Sequence, residues 1–302
     1  MPLPSQETPD VMEGGYSSPL RALRRLLVYL AFTLPLMPLQ GLFLLFNKRL
    51  ARELPYRYHR QGCKLLGIHV ERVGEPAQDH PVLYVANHVS YFDIPVLGSL
   101  VRTSFIAKAE IASWPFFSWL AKLQRSVFVD RRRSQTRGQR DEIAARLAEK
   151  DDLVLFAEGT SGDGNRVLPF KSALFAVAER EVDGKPLTVQ PVSITYTRLD
   201  GMPMGRFLRP FYAWYGDMSL PGHAWQALGL GIVTVVVQFH EPVTIRDYGS
   251  RKALAEHCHR VVAAGVADAL GGKVGLPRPR GLRIRRAQTT SGATDAPAGA
   301  SG

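Results

Sequence analysis

His88 and Asp93 carry an imidazole and a carboxylate with four residues between them, directly after the apolar run Val82-Leu83-Tyr84-Val85-Ala86. An imidazole held by a carboxylate is a general base that works near neutral pH. Five positions along an ideal helix rotate a side chain by about 500°, which leaves these two about 140° apart. They cannot meet on one regular helix. They can meet if His88 lies in a strand-to-helix turn and Asp93 lies in the first helical turn. Ser90 is then the expected N-cap, with Asp93 at the capping-box position. The plainer alternative is that Asp93 only caps and His88 only packs.

A second segment offers further chemistry. The apolar run Leu153-Val154-Leu155-Phe156 reads as a buried strand, and the next ten residues, 157–166, abruptly turn polar. They include Glu158, Thr160, Ser161, Arg166 and the glycines Gly159, Gly162 and Gly164. Glycines let a backbone approach a ligand closely and adopt positive φ. The same composition also describes an ordinary surface turn.

Short apolar runs at 68–73, 82–86, 105–107, 127–129, 153–156, 189–196 and 233–239 read as strands. Helical spacing fills 134–150, 170–181 and 251–270 between or after them. This alternation predicts an α/β domain with a mostly parallel sheet flanked by helices. Ligands of such sheets gather at the carboxyl ends of the strands. His88, Arg131 and Glu158 each follow a predicted strand, so one cleft is expected to hold all three.

The composition fits a globular chain: 302 residues, 45% apolar, 22% charged and a net charge of +11. That charge favours anionic partners. No nucleic-acid partner is expected, since zinc-finger spacing, RNP motifs and basic heptads are missing. Two cysteines, Cys63 and Cys258, suit a reducing compartment. Residues 26–46 carry no charge, a run of spanning length, interrupted by Pro35 and Pro38. Those prolines should kink or break a helix. Basic residues flank both ends, Arg21, Arg24 and Arg25 before and Lys48, Arg49 and Arg52 after. A re-entrant or interfacial hairpin on the cytoplasmic face of the cell membrane is therefore expected first, then a single span, then a buried helix. The expected division is a disordered 1–19, a membrane-associated helical region 20–61, an α/β domain 62–273 and a basic, disordered tail 274–302.

Taken together, four segments in order resemble the glycerolipid acyltransferase family, which includes lysophosphatidate acyltransferases. Asn87-His88 with Asp93 matches its first motif. Phe156-Ala157-Glu158-Gly159-Thr160-Ser161 is similar to its Phe-Pro-Glu-Gly-Thr-Arg motif, with Ala for Pro and Ser for Arg. The strand ending Asp130-Arg131 and the proline-centred run 189–194 resemble its other two segments. The resemblance implies transfer of a fatty acyl group from acyl-CoA or acyl carrier protein to a lysolipid hydroxyl. It implies no cofactor beyond that co-substrate, and no metal.

On this reading His88 takes the hydroxyl proton and Asp93 orients the ring and stabilises the imidazolium, as in hydrolase triads. Backbone N–H groups near the His88 turn are candidates for stabilising the tetrahedral oxyanion. The resemblance makes Glu158, Gly159 and Thr160 the acceptor-binding turn. Arg131 would grip an anionic head group, with Lys171 a further cation of the same kind. Ser161 removes the usual arginine, for which Arg166 stands in. The loop 159–171 is also similar to that of bacterial lyso-ornithine lipid acyltransferases. Lysophosphatidate is expected first as acceptor and lyso-ornithine lipid second. Other classes fit less well. A lipase elbow fails at Asp163, and the adjacent His257, Cys258 and His259 point different ways on a helix. A non-catalytic membrane-binding protein would explain the charge and the apolar run, but not His88, Asp93 and Glu158 in this order.

Overall fold

The computed structural model describes residues 16–114, 116–129 and 137–274. Arg131, the basic tail from 275 onward and residues 1–15 lie outside the described residues.

The chain opens with two helices, α1 (Pro19–Phe46) and α2 (Lys48–Leu66). It continues through β1 (Ile68–Val73), β2 (Val82–Ala86), α3 (Asp93–Gly98), β3 (Thr103–Lys108), α4 (Phe117–Leu123) and β4 (Val127–Val129). Then come α5 (Arg137–Ala148), β5 (Asp152–Phe156), a small β6–β7 hairpin (Glu181–Val182, Lys185–Pro186) and the long β8 (Thr188–Leu199). The last elements are β9 (Met202–Pro203), α6 (Leu220–Gly229), β10 (Val233–Phe239) and α7 (Arg251–Leu270). The main sheet runs β1-β10-β8-β2-β5-β3-β4, with β9 paired to β8. Neighbours along that order are parallel except β8 and β10, so the sheet is mostly parallel, as expected.

β2 and β5 are buried along their whole length, as strands covered on both faces must be. Their side chains alternate between two apolar layers. Tyr84, Ala86, Val154 and Phe156 enter one layer; Leu83, Val85, Leu153 and Leu155 enter the other, against Ile143, Leu147, Phe175 and Leu254. The register sets the site. Ala86 pairs with Phe156 on one side and Val192 on the other. Residues 88 and 158 therefore leave the sheet at the same level.

Two expectations fail. Pro35 and Pro38 do not break α1, which continues through them over its 28 residues. Each removes one helical hydrogen bond, but α2 packs alongside and a hydroxyl chain from Thr33 through Tyr58 to Tyr29 ties the two helices together at this level. Gln40 further on donates to the carbonyls of Ala51 and Leu123. The helix expected at 170–181 is instead a 3-10 segment, Ser172–Glu179. Its apolar residues Phe175, Val177 and Ala178 are there for burial, not for a helical period.

α1 has a mean hydropathy of 1.7 over its most apolar window, enough by length and composition to cross a membrane. Leu23, Leu27, Leu34, Leu42 and Leu45 are exposed on it. Its first turns are bolted to the sheet domain: buried Arg25 donates to the carbonyls of Leu228, Leu230 and Gly231 at 2.7–3.1 Å.

Candidate active site

The strand β2 ends at Ala86, and Asn87 turns the chain out of the sheet. Its side-chain amide imitates a peptide group, donating to the Ile194 carbonyl (2.9 Å) and accepting the Ile194 N–H (2.8 Å). The following turn wraps Asp93, which is fully buried. Asp93 Oδ2 accepts from His88 Nδ1 (2.8 Å) and from the N–H groups of Val89 (2.7 Å) and Ser90 (3.0 Å). Asp93 Oδ1 accepts from the Tyr196 hydroxyl (2.8 Å). Because the carboxylate is an acceptor, His88 Nδ1 carries the proton and Nε2 has its lone pair free. The imidazole stacks on Phe156, with ring centroids 4.0 Å apart, and keeps about a fifth of its surface exposed.

Only half of the expected capping box forms. Asp93 reaches back to the Ser90 N–H, but the N-cap of α3 is Phe92 and it makes no side-chain cap bond. The Ser90 hydroxyl is buried with no partner. The backbone N–H groups of His88, Val89 and Ser90 all bind side-chain carboxyl oxygens, so these three are not oxyanion donors in this geometry.

Glu158 follows β5 and turns beneath this loop. Its Oε1 accepts the His88 N–H at 3.1 Å, and the Leu168 N–H also bonds to the carboxyl. Oε2 is buried without a partner. Burial, above all, pushes Glu158 from the ordinary 4.5 up to about 8, against the pull of those two N–H donors. At neutral pH it is mostly a neutral acid, whose free O–H is a donor. This has a consequence for stability. Between pH 4.5 and 8 the unfolded chain has lost this proton and the folded chain has kept it, so stability falls as pH rises across that window. Glu158→Gln should flatten the fall, by on the order of a few kcal/mol between pH 5 and 8. Urea denaturation of both proteins at the two pH values measures it; identical differences would show an ordinary, solvated Glu158.

The rest of the turn is shaped by close approach. Gly159 has φ +70°, and a Cβ there would lie 3.0 Å from the Lys171 side chain. Lys171 lies over this glycine and donates its backbone N–H to the Ala157 carbonyl at 2.9 Å. The Gly162 N–H donates to the His88 carbonyl at 2.9 Å, joining the two loops a second time. Thr160 and Arg166 are exposed.

Comparison with known proteins identifies the family. The family model for Acyltransferase matches residues 68–195. The chain is 46% identical over 247 residues to a lyso-ornithine lipid O-acyltransferase of Brucella abortus, covering 80% of this chain and 92% of that protein. The chain belongs to the glycerolipid acyltransferase family. It is also 33% identical over 199 residues to a 1-acyl-sn-glycerol-3-phosphate acyltransferase of Neisseria gonorrhoeae, covering 65% of this chain and 74% of that protein. Among solved structures, the 1-acyl-sn-glycerophosphate acyltransferase PlsC of Thermotoga maritima shares the fold. Its TM-score is 0.57 at 24% identity, over 85% of this chain and 100% of that one. This acyltransferase is thus an enzyme that moves acyl groups onto lysolipids.

The acyltransferase covers its site with a segment that gave no motif in the sequence. Residues 204–219 leave β9 and cross both loops. Trp214 donates its backbone N–H to the Val89 carbonyl at 3.0 Å, and its own carbonyl accepts from the Ser161 hydroxyl. The Trp214 ring meets Tyr91 and Trp114 edge-on. Ser161, where a family arginine is expected, therefore fastens this arm instead of presenting a charge. Arg209 on the same arm bonds to Asn165. The structure brings together His88, Asp93, Glu158, Gly159, Ser161 and Lys171 of the expected residues. It leaves Arg166 on the surface, and Arg131 is outside the described residues. Asn87, Tyr196, Trp214 and Arg209 add to the site. Tyr196 could have been suspected, since a hydroxyl in a buried strand needs a partner.

Proposed function

We propose that the acceptor hydroxyl binds against His88 Nε2 and that His88 acts as general base. The hydroxyl oxygen attacks the thioester carbonyl as its proton passes to Nε2. The tetrahedral intermediate then expels the thiolate, which takes that proton back from the imidazolium and leaves as a thiol. Asp93, fixed by four donors, keeps Nδ1 protonated and stabilises the positive ring. Glu158, by accepting the His88 backbone N–H, holds the turn against which the acceptor binds. No protein nucleophile is required. The observation that carries this reading is the His88 dyad stacked on Phe156 and bonded through its own N–H to Glu158.

The proposed acceptor is lyso-ornithine lipid in preference to lysophosphatidate, which reverses the order expected from sequence. Two facts support it. Ser161 supplies no cation, and the Brucella relative that matches over most of both chains is named for this acceptor. The donor is acyl-CoA or acyl carrier protein. α1 lies in the cytoplasmic leaflet with its exposed leucines among acyl chains, which brings the site to its lipid substrate. Purified protein in lipid vesicles, given labelled acyl thioester and either lysolipid, tests the proposal. Ornithine lipid is the expected product. Phosphatidate alone would overturn the acceptor, and no diacyl product from either would overturn catalysis.

A further inference from the structure

Beside the Glu158 turn, three side chains join into a short chain with opposite charges at its ends. Asn165 donates its backbone N–H to Asp163 Oδ1 (3.0 Å) and its Nδ2 to Asp163 Oδ2 (3.2 Å). Its Oδ1 accepts from Arg209 Nη1 at 2.5 Å. Burial pushes the Arg209 guanidinium below its ordinary range, and the nearby Asp163 carboxylate partly opposes that push. Yet no ion pair joins them among the described residues, because Asn165 stands between. Arg209 Nε is buried with no partner. The cluster borders the His88 turn at Val89. A Cβ on Gly164 would lie 3.2 Å from Val89 Cγ1 and 3.8 Å from Arg209 Cβ. Both charged groups are only partly buried, so each is open to a further partner. Asp163 retains lone pairs beyond the two used by Asn165, and Arg209 retains N–H donors.

Ornithine with one amine acylated carries one ammonium and one carboxylate. A phosphate monoester carries negative charge only. Both ends of the ornithine head group find their opposite here, whereas phosphate would meet repulsion at Asp163. We propose that Asp163 and Arg209, spaced by Asn165, form the head-group subsite of this acyltransferase, Asp163 taking the acceptor's ammonium and Arg209 its carboxylate. This rests on the acceptor reading above. It makes Asp163 the residue that discriminates between the two lysolipids, by attraction to one and repulsion of the other.

The test uses the full-length protein in phosphatidylcholine vesicles, with saturating acyl thioester and varied lyso-ornithine lipid or lysophosphatidate. Asp163→Asn should raise KM for lyso-ornithine lipid about tenfold, the scale of one lost charge-assisted hydrogen bond. The same change should lower KM for lysophosphatidate, and Asp163→Glu should restore the wild-type ratio of the two. Arg209→Gln should raise KM for both acceptors while KM for the acyl donor stays put, with partial recovery in Arg209→Lys. An unchanged ratio in Asp163→Asn, in protein whose circular dichroism and melting match the wild type, overturns the subsite. A rise in donor KM in Arg209→Gln overturns its half. A wild type that forms phosphatidate alone overturns the acceptor reading instead, and the Asp163 half with it; Arg209 is then still read on lysophosphatidate.

Discussion

His88→Ala is expected to lower kcat by about 10²–10⁴-fold, the range for losing a positioned general base. The loss should fall on kcat, because in the proposed mechanism the imidazole meets the reacting hydroxyl and not the head group. An alcohol in water has a proton far too weakly acidic to leave unaided near pH 7, so attack without a base is slow. Nothing adjacent replaces it. Glu158 is held near 8 by burial, so at neutral pH it has a proton to give and not one to take. Its Oε1 is engaged by the His88 backbone N–H, which survives the substitution. The fold should also survive, since the imidazole is partly exposed and its removal opens space beside Phe156 at the surface. α1 is far along the chain and untouched, so the variant should still float with vesicles. Initial rates with labelled acyl thioester give the measurement, with vesicle flotation as the control. A variant with near wild-type turnover would show that the proton goes elsewhere.

The parts of this fold that could be read from sequence are those where one face or one length decides the element. β2, β4 and β5 lie where their continuous apolar runs place them, as strands covered on both faces read. The continuous α1 could not be foreseen, because proline's local penalty was visible in sequence and the bonds from Thr33 and Gln40 were not. The dyad was legible because its partners are five positions apart. Its remaining supports were not: Tyr196 lies 103 residues from Asp93, and Asn87 reaches 107 residues to Ile194. Those contacts exist only because β8 lies beside β2 in the sheet. Arg209 was illegible for the same reason, being one arginine among many until the arm laid it on Asn165.

Ser161 shows how the two levels interact. In the sequence it is the loss of a cation from an expected anion site. In the structure its hydroxyl donates to the Trp214 carbonyl and so holds the arm that carries Arg209. A position that held charge directly in the family pattern here positions the segment that brings charge. On the arm, Trp214 meets Tyr91 and Trp114 edge-on and donates its N–H to the Val89 carbonyl.

Asp93→Asn carries the other large effect and separates into two parts. The first is chemical. Asparagine offers one carbonyl oxygen and one NH₂ where the carboxylate offered two acceptors. If the oxygen faces Tyr196, the NH₂ confronts the N–H groups of Val89 and Ser90 and the His88 ring. The ring then turns its other tautomer inward and its basic nitrogen away from the acceptor. If the amide flips, the Tyr196 hydroxyl can still turn to the NH₂, but the imidazolium has lost its counter-charge. The equivalent change in serine protease triads costs about 10⁴ in kcat, and a loss approaching that is expected here. The second part is structural. Asp93 is fully buried and its Oδ2 satisfies two backbone donors, so asparagine leaves at least one N–H unpaired at a cost of about 1–3 kcal/mol. Asp93→Asn should therefore melt lower than wild type, while His88→Ala should not, although both are nearly inactive. Scanning calorimetry beside single-turnover rates resolves the two parts. An Asp93→Asn protein that loses stability but keeps most of its kcat would reduce this carboxylate to a cap and remove it from the proton transfer.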